Sequence, residues 1–413
     1  MSATDVSQTQ RTLTRKEHYA KQLVYTLLAH VKDACISLVD EQGQTLQCGD
    51  PQASLHASVL VHDPRFYTRM LTGGSIAAAE AYVDGWWESP NLTDVIRVFA
   101  RNLPAIDRIE KHTGWLVNLG NKLAHWRNRN EKDTARRNIS AHYDLGNDLY
   151  RHFLDEQMLY SSAIYTENTA GLEAAQIEKM DRLCRQLKLK PSDHLIEIGS
   201  GWGAMAIYAA KEYGCRVTTT TISEEQYAWA KARIEQAGLQ NQITLLKEDY
   251  RDLDGEYDKL VSIEMIEAVG KEYLDTFVKK CQSLLKPEGL MAIQAITISD
   301  QRYDHYSRNV DFIQKHIFPG GFLPSVNVLL DHFTAQTDFV MRDLKDIGID
   351  YANTLADWHQ RFNQNADTLQ TFGYDERFAR LWRYYFCYCE GGFRERTISA
   401  VQLLFSRPAW REA

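Results

Sequence analysis

At 413 residues the chain has room for two domains of roughly 150 residues each, or for one large one. Its 44% hydrophobic and 25% charged residues belong to a folded protein, neither disordered nor fibrous. A net charge of −8 excludes nucleic acid as the main partner, because phosphate binding needs a basic footprint.

Seven scattered cysteines without C-x-x-C spacing suit a reducing compartment, and Cys387 and Cys389, two apart in a helical run, fall on different faces. No metal site is expected. The N-terminus lacks a signal-peptide core and no apolar run is long enough to span a membrane, so the expected location is cytoplasmic, with any lipid contact peripheral.

Residues 1–15 are polar and expected to be disordered. Residues 16–113 alternate helical periodicity with short strands such as Ala34 to Val39 and Ser58 to His62, giving a small mixed α/β domain. A run of small residues there leads into Trp86 and Trp87, which are more often core than contact residues. Between 114 and 137, Trp115, Leu116, Leu119, Leu123 and Trp126 form one helical stripe beside Arg127, Arg129, Lys132, Arg136 and Arg137. That pattern suits an interfacial helix on anionic lipid and equally an interdomain helix with a basic end.

From 138 to 413 a catalytic domain is expected. A helix over Glu173–Leu187 precedes His194-Leu-Ile-Glu-Ile-Gly-Ser-Gly-Trp-Gly, a buried strand that breaks into a glycine-rich turn and then a helix over Ala204–Tyr213. Such a turn lets a ligand approach the backbone at a helix N-terminus. A dinucleotide would need an acid at the end of the second strand, about twenty residues on. Here that strand, Arg216 to Thr221, ends in threonines, which disfavours NAD. Further strands at Ile243–Glu248, Asp258–Ile263 and Gly289–Ile298 alternate with helices, predicting a parallel sheet covered on both faces with ligands at its strand C-termini.

The pieces His142-Tyr-Asp-Leu-Gly-Asn-Asp, Tyr160-Ser-Ser-Ala, Ile198-Gly-Ser-Gly-Trp-Gly, Thr221-Ile-Ser-Glu-Glu-Gln, Asp249-Tyr-Arg-Asp, Ile266-Glu-Ala-Val-Gly, Ile317-Phe-Pro-Gly-Gly and Phe393-Arg-Glu-Arg span most of the chain. Together they resemble the cyclopropane fatty acid synthases, which alkylate cis double bonds of phospholipid acyl chains with S-adenosylmethionine. The resemblance implies a Rossmann-like class I S-adenosylmethionine-dependent methyltransferase sheet with a smaller mixed α/β N-terminal domain. It also implies a homodimer working peripherally at the inner face of the membrane on unsaturated phospholipid.

Carried over residue by residue, the resemblance places Tyr160 and Ser161 at the methionine end of the cofactor and Gly199 and Gly201 beneath it. Thr221, Ile222 and Gln226 fall at the ribose, Asp249 and Tyr250 at the adenine. A bound bicarbonate would take the final proton, held by the backbone at Ser162 and Ile296 and by Glu267, Gln294 and Tyr351. Ser162 and Gln294 stand where the family has Cys and His. These two departures leave open a methylene- or methyl-branched or furan-precursor product, or a catalytically silent lipid-binding protein. A small-molecule N- or O-methyltransferase would share the sheet but would not need the N-terminal domain. Glu264 adds a carboxylate near Glu267, whose commoner reading is a solvated strand end.

Overall fold

The computed structural model describes residues 13–103 and 146–412. The expected linker helix over 114–137 and the motif residues His142 to Leu145 lie outside them. The described residues divide into two compact units. One comprises residues 13–103 with Glu376–Gly391, and the other 146–375 with 392–412.

In the first unit, the helix Arg15–Leu28 starts at a capping box. The Thr14 hydroxyl accepts from the Glu17 N–H, and the Glu17 carboxylate accepts from the Thr14 N–H. Strands β1 (Cys35–Val39), β2 (Thr45–Gly49), β3 (His56–Val61) and β4 (Trp87–Glu88) form a sheet in the order β2-β1-β3-β4. Trp87 is core, its indole N–H donating to the Ala78 carbonyl at 2.8 Å, whereas Trp86 is half-buried under the Arg65 guanidinium.

The segment Glu376–Gly391 belongs to this unit although 287 residues lie between Glu88, the end of β4, and Glu376 in the sequence. Thr93 donates to Glu390 at 2.9 Å, and Arg380 lies over the Tyr82 ring. A Cβ on Gly391 would come within 2.7 Å of the Ile96 side chain, so glycine permits the close approach.

The second unit is built on a seven-stranded sheet of β5 (His194–Ile198), β6 (Arg216–Thr220), β7 (Ile243–Leu246), β8 (Tyr257–Ile263), β9 (Leu285–Ile298), β10 (Val340–Asp346) and β11 (Ile398–Ser406). Their order is β10-β11-β9-β8-β5-β6-β7, with β5 to β9 parallel and β11 antiparallel to both neighbours. The strands alternate between two cores. Leu195, Val217, Val261 and Ala292 face the helices Gly171–Gln186 and Ala204–Tyr213, while Ile196, Leu260, Met291 and Leu403 face Leu274–Leu284 and Val326–Gln336. Covering both faces leaves the strand C-termini as the open edge where side chains can meet a ligand.

Candidate active site

The turn after β5 runs through Gly199, Gly201 and Gly203, all at positive φ. They do different things. A Cβ on Gly203 would lie 3.1 Å from that of Ala230, so this glycine permits helix packing. A Cβ on Gly201 would meet nothing within 4 Å, so this one faces open space. Beneath the turn, Glu197 is buried and accepts from Thr219 at 2.6 Å, and burial pushes its carboxyl up to about 7.

At the end of β6, Thr221 donates to the Gln226 side-chain carbonyl at 2.9 Å, and the Ser223 hydroxyl caps the helix Glu224–Gln236 by accepting from the Gln226 N–H. Gln226 is therefore buried at a helix start, not solvated, with Ile222 half-buried beside it. After β7, Asp249 is buried and clasped by Arg251 through its Nε and a terminal guanidinium nitrogen at 2.8 and 2.7 Å. Tyr250 packs edge-on against Phe277. Tyr160 closes the opposite side, its ring among those of Tyr150, Phe153, Phe318 and Trp358.

These residues fit S-adenosylmethionine: open space at the Gly201 backbone and a neutral amide oriented at Gln226. Ser161 stands next to Tyr160 and accepts from the buried Lys179 at 2.7 Å.

The residues expected around bicarbonate do converge, but on a carboxylate of the chain itself. Glu264 Oε1 accepts from the Ser162 N–H at 2.9 Å and from Gln294 Nε2 at 2.8 Å, and Glu264 Oε2 accepts from the Tyr351 hydroxyl at 2.7 Å. The reading of Glu264 as a solvated strand end is thereby corrected. Its backbone is at φ 48°, a conformation costly for a residue with a side chain, and this bend at the end of β8 brings the carboxylate into the donors.

The fourth expected contact, the Ile296 N–H, donates to Glu267. The other Glu267 oxygen is buried and has no hydrogen-bond partner among the described residues. Burial, and then the neighbouring Glu264, push Glu267 up to about 8, which favours its protonated form. Burial raises Glu264 too, opposed by Gln294, Ser162, Tyr351 and Lys179. With the donors expected for it, Ser162, Gln294, Tyr351 and Ile296, already engaged by Glu264 and Glu267, the site does not fit a bicarbonate ion.

Behind Gln294 a polar chain crosses the sheet. Gln402 donates to Gln294 Oε1 at 2.9 Å and Arg182 donates to Gln402 at 3.0 Å, a relay absent from the sequence reading because β11 was not recognised as a neighbour of β9. The segment Phe312 to Leu323 lies beside the backbone of Glu267. The Phe322 N–H donates to the Glu267 carbonyl, and the Leu323 N–H to the Tyr306 hydroxyl.

The family model described as mycolic acid cyclopropane synthetase matches residues 130–403. The chain is 39% identical over 362 residues to the cyclopropane-fatty-acyl-phospholipid synthase of Escherichia coli, covering 86% of this chain and 89% of that one. It is 37% identical over 375 residues to the tuberculostearic acid methyltransferase of Mycobacterium tuberculosis, covering 89% and 86%. The chain resembles a solved mycolic acid cyclopropane synthase complexed with SAH and CTAB, at 28% identity and a TM-score of 0.62 over 66% of this chain and 98% of that one. The chain belongs to the mycolic acid cyclopropane synthetase family and is an S-adenosylmethionine-dependent C-methyltransferase.

Proposed function

We propose that the protein methylates the cis double bond of an unsaturated acyl chain in a membrane phospholipid and closes it to a cyclopropane, with Glu264 as the base in place of bicarbonate. The observation that carries this reading is the three-donor hold on the Glu264 carboxylate, where the resemblance calls for a free anion. The substrate class is supported by the relatives named for fatty acyl chains.

S-adenosylmethionine, when bound over Gly199 and Gly201, supplies an electrophilic methyl group; Tyr160, Ser161, Thr221, Ile222, Gln226, Asp249 and Tyr250 are the residues proposed to hold it. An alkene is a weak nucleophile, so the chain's own residues act by alignment and by excluding water. Addition of the methyl leaves the acyl chain with a positive charge, which the ring faces of Tyr160 and Trp358 can stabilise without reacting. Glu264 then takes a proton from the new methyl, and the electron pair of that C–H bond closes the three-membered ring. Glu267, protonated, adds no second charge to compete for the cation.

A second reading keeps the substrate and gives a methylene-branched chain. It is favoured by the same hydrogen bonds. A carboxylate held by three donors is a slower base, and delay lets a hydride shift move the charge before the proton leaves. We place the work at the cytoplasmic membrane surface. The aromatic and basic pattern of 114–137 supports peripheral contact, and the family resemblance supports a homodimer. Among the described residues no helix is long and apolar enough to cross a membrane.

The test is chromatography and mass spectrometry of fatty acid methyl esters after incubation with S-adenosylmethionine and monounsaturated phospholipid vesicles. A product one CH2 heavier that elutes with the cyclopropane standard supports ring closure, and elution with the methylene-branched standard supports the second reading. No modified acyl chain would sink both.

A further inference from the structure

We infer that Lys179 is a positioning residue of this site: the buried ammonium seated on the Ser161 hydroxyl, next to the Ser162 N–H that holds Glu264, keeps that carboxylate available as the proton acceptor. The inference rests on the reading of Glu264 as base.

Lys179 lies on the helix Gly171–Gln186, on the stripe with Leu172, Ala175, Gln176 and Leu183 that packs inward. It is fully buried, a placement that a lysine rarely takes without a partner. Among the described residues its ammonium donates only to Ser161 Oγ, at 2.7 Å. A buried ammonium with donors left over is costly unless opposite charge stands nearby. Burial pulls the Lys179 ammonium down to about 8, and the opposite charges of Glu264 and Asp155 counter that pull. Asp155 is already engaged by the N–H groups of Leu159 and Gln157.

The path to Glu264 is short. One turn earlier on the same helix face, Gln176 donates to the Ser161 carbonyl at 2.9 Å. The N–H of that same peptide unit, at Ser162, donates to Glu264 Oε1 at 2.9 Å. A peptide group that accepts at its oxygen is a stronger donor at its nitrogen, so the helix reinforces the hold on the carboxylate from behind. Glu264 is thus faced by Lys179 from this helix, by Glu267 from its own segment, by Tyr351 from the helix Gly348–Gln364, and by the neutral donors Ser162 and Gln294. Of these, Lys179 alone brings positive charge. Without it, burial favours a protonated Glu264, opposed only by the neutral donors, and a protonated Glu264 cannot accept another proton.

The experiment compares wild type, Lys179→Gln, Lys179→Arg and Glu264→Gln. Lys179→Gln keeps a donor for Ser161 and removes the charge. Two readouts are taken: the pH dependence of single-turnover methylation at saturating S-adenosylmethionine, and infrared titration of the carboxyl band that disappears in Glu264→Gln. The expected result is an acid limb and a carboxyl titration that both move up by about one pH unit or more in Lys179→Gln. Lys179→Arg is expected to stay near wild type. If Lys179→Gln does not fold, Lys179→Met carries the same comparison. A lower melting temperature with both pH curves unmoved would overturn the inference and leave Lys179 a packing residue. A Glu264→Gln variant as active as wild type would overturn the base assignment instead, while the infrared titration still decides the Lys179 coupling.

Discussion

The Tyr351 hydroxyl donates to Glu264 Oε2 across 2.7 Å, joining residues 87 positions apart. Tyr351 also stacks on Phe393 with ring centroids 4.4 Å apart, so the ring and the hydroxyl have separable roles. Tyr351→Phe keeps the stack and removes one donor from a charged acceptor. A hydrogen bond to a charged group is worth about 1.5–3 kcal/mol, which predicts a fall in turnover of about 10–100-fold with little change in melting temperature. Single-turnover rates and thermal melts on the same preparation check both parts.

Glu264→Gln should lower turnover by about 10²–10⁴-fold, the usual span for loss of a general base, with S-adenosylmethionine affinity nearly unchanged by calorimetry. Glu264→Gly is more informative. It relieves the positive φ and frees the Ser162, Gln294 and Tyr351 donors, so added bicarbonate or formate should restore part of the activity. Anion rescue in Glu264→Gly but not in Glu264→Gln is the expected pattern. Equal response of the two variants would count against the carboxylate cradle.

Glu197 ties stability to pH. Burial raises its carboxyl from 4.5 to about 7, so the folded protein binds this proton more tightly than the unfolded chain does. Its stabilising contribution is complete below 4.5 and is lost as pH rises through 7. Glu197→Gln removes that dependence, and its melting temperature relative to wild type should climb between these values and level off above them. A constant difference across the range would show that Glu197 keeps its ordinary titration.

The glycine turn offers a paired comparison. Gly201→Ala puts a methyl into the open space proposed for the cofactor and should weaken S-adenosylmethionine binding at a modest stability cost of about 1–2 kcal/mol. Gly203→Ala drives a methyl against Ala230 and should lower the melting temperature more while affecting binding less. Calorimetry and thermal melts on both variants would expose a reversed order.

Much of the second unit is legible in the sequence because its signals are local. The strand His194–Ile198 and the helix Ala204–Tyr213 lie where turn residues and glycines place them. The edge strand β10, Val-Met-Arg-Asp-Leu-Lys-Asp, is exposed along nearly its whole length and carries no alternation that marks a strand. The role of Glu264 is illegible for a different reason. Its donors come from Ser162, Gln294 and Tyr351, 102, 30 and 87 positions away, and no spacing announces them. Lys179 did leave a trace, as a lysine on the apolar stripe of an otherwise regular amphipathic helix.

The last strand of the chain, Ile398–Ser406, sits between β9 and β10 and not at a sheet edge. During synthesis this means that β9 waits with one side unpaired until Ile398–Ser406, about a hundred residues later, has emerged. The catalytic sheet therefore cannot close strand by strand in chain order. A nonsense mutation or proteolytic cut a few residues before Ile398 would remove an interior stave, together with Gln402 behind the acid–base site, and would leave a sticky edge in its place.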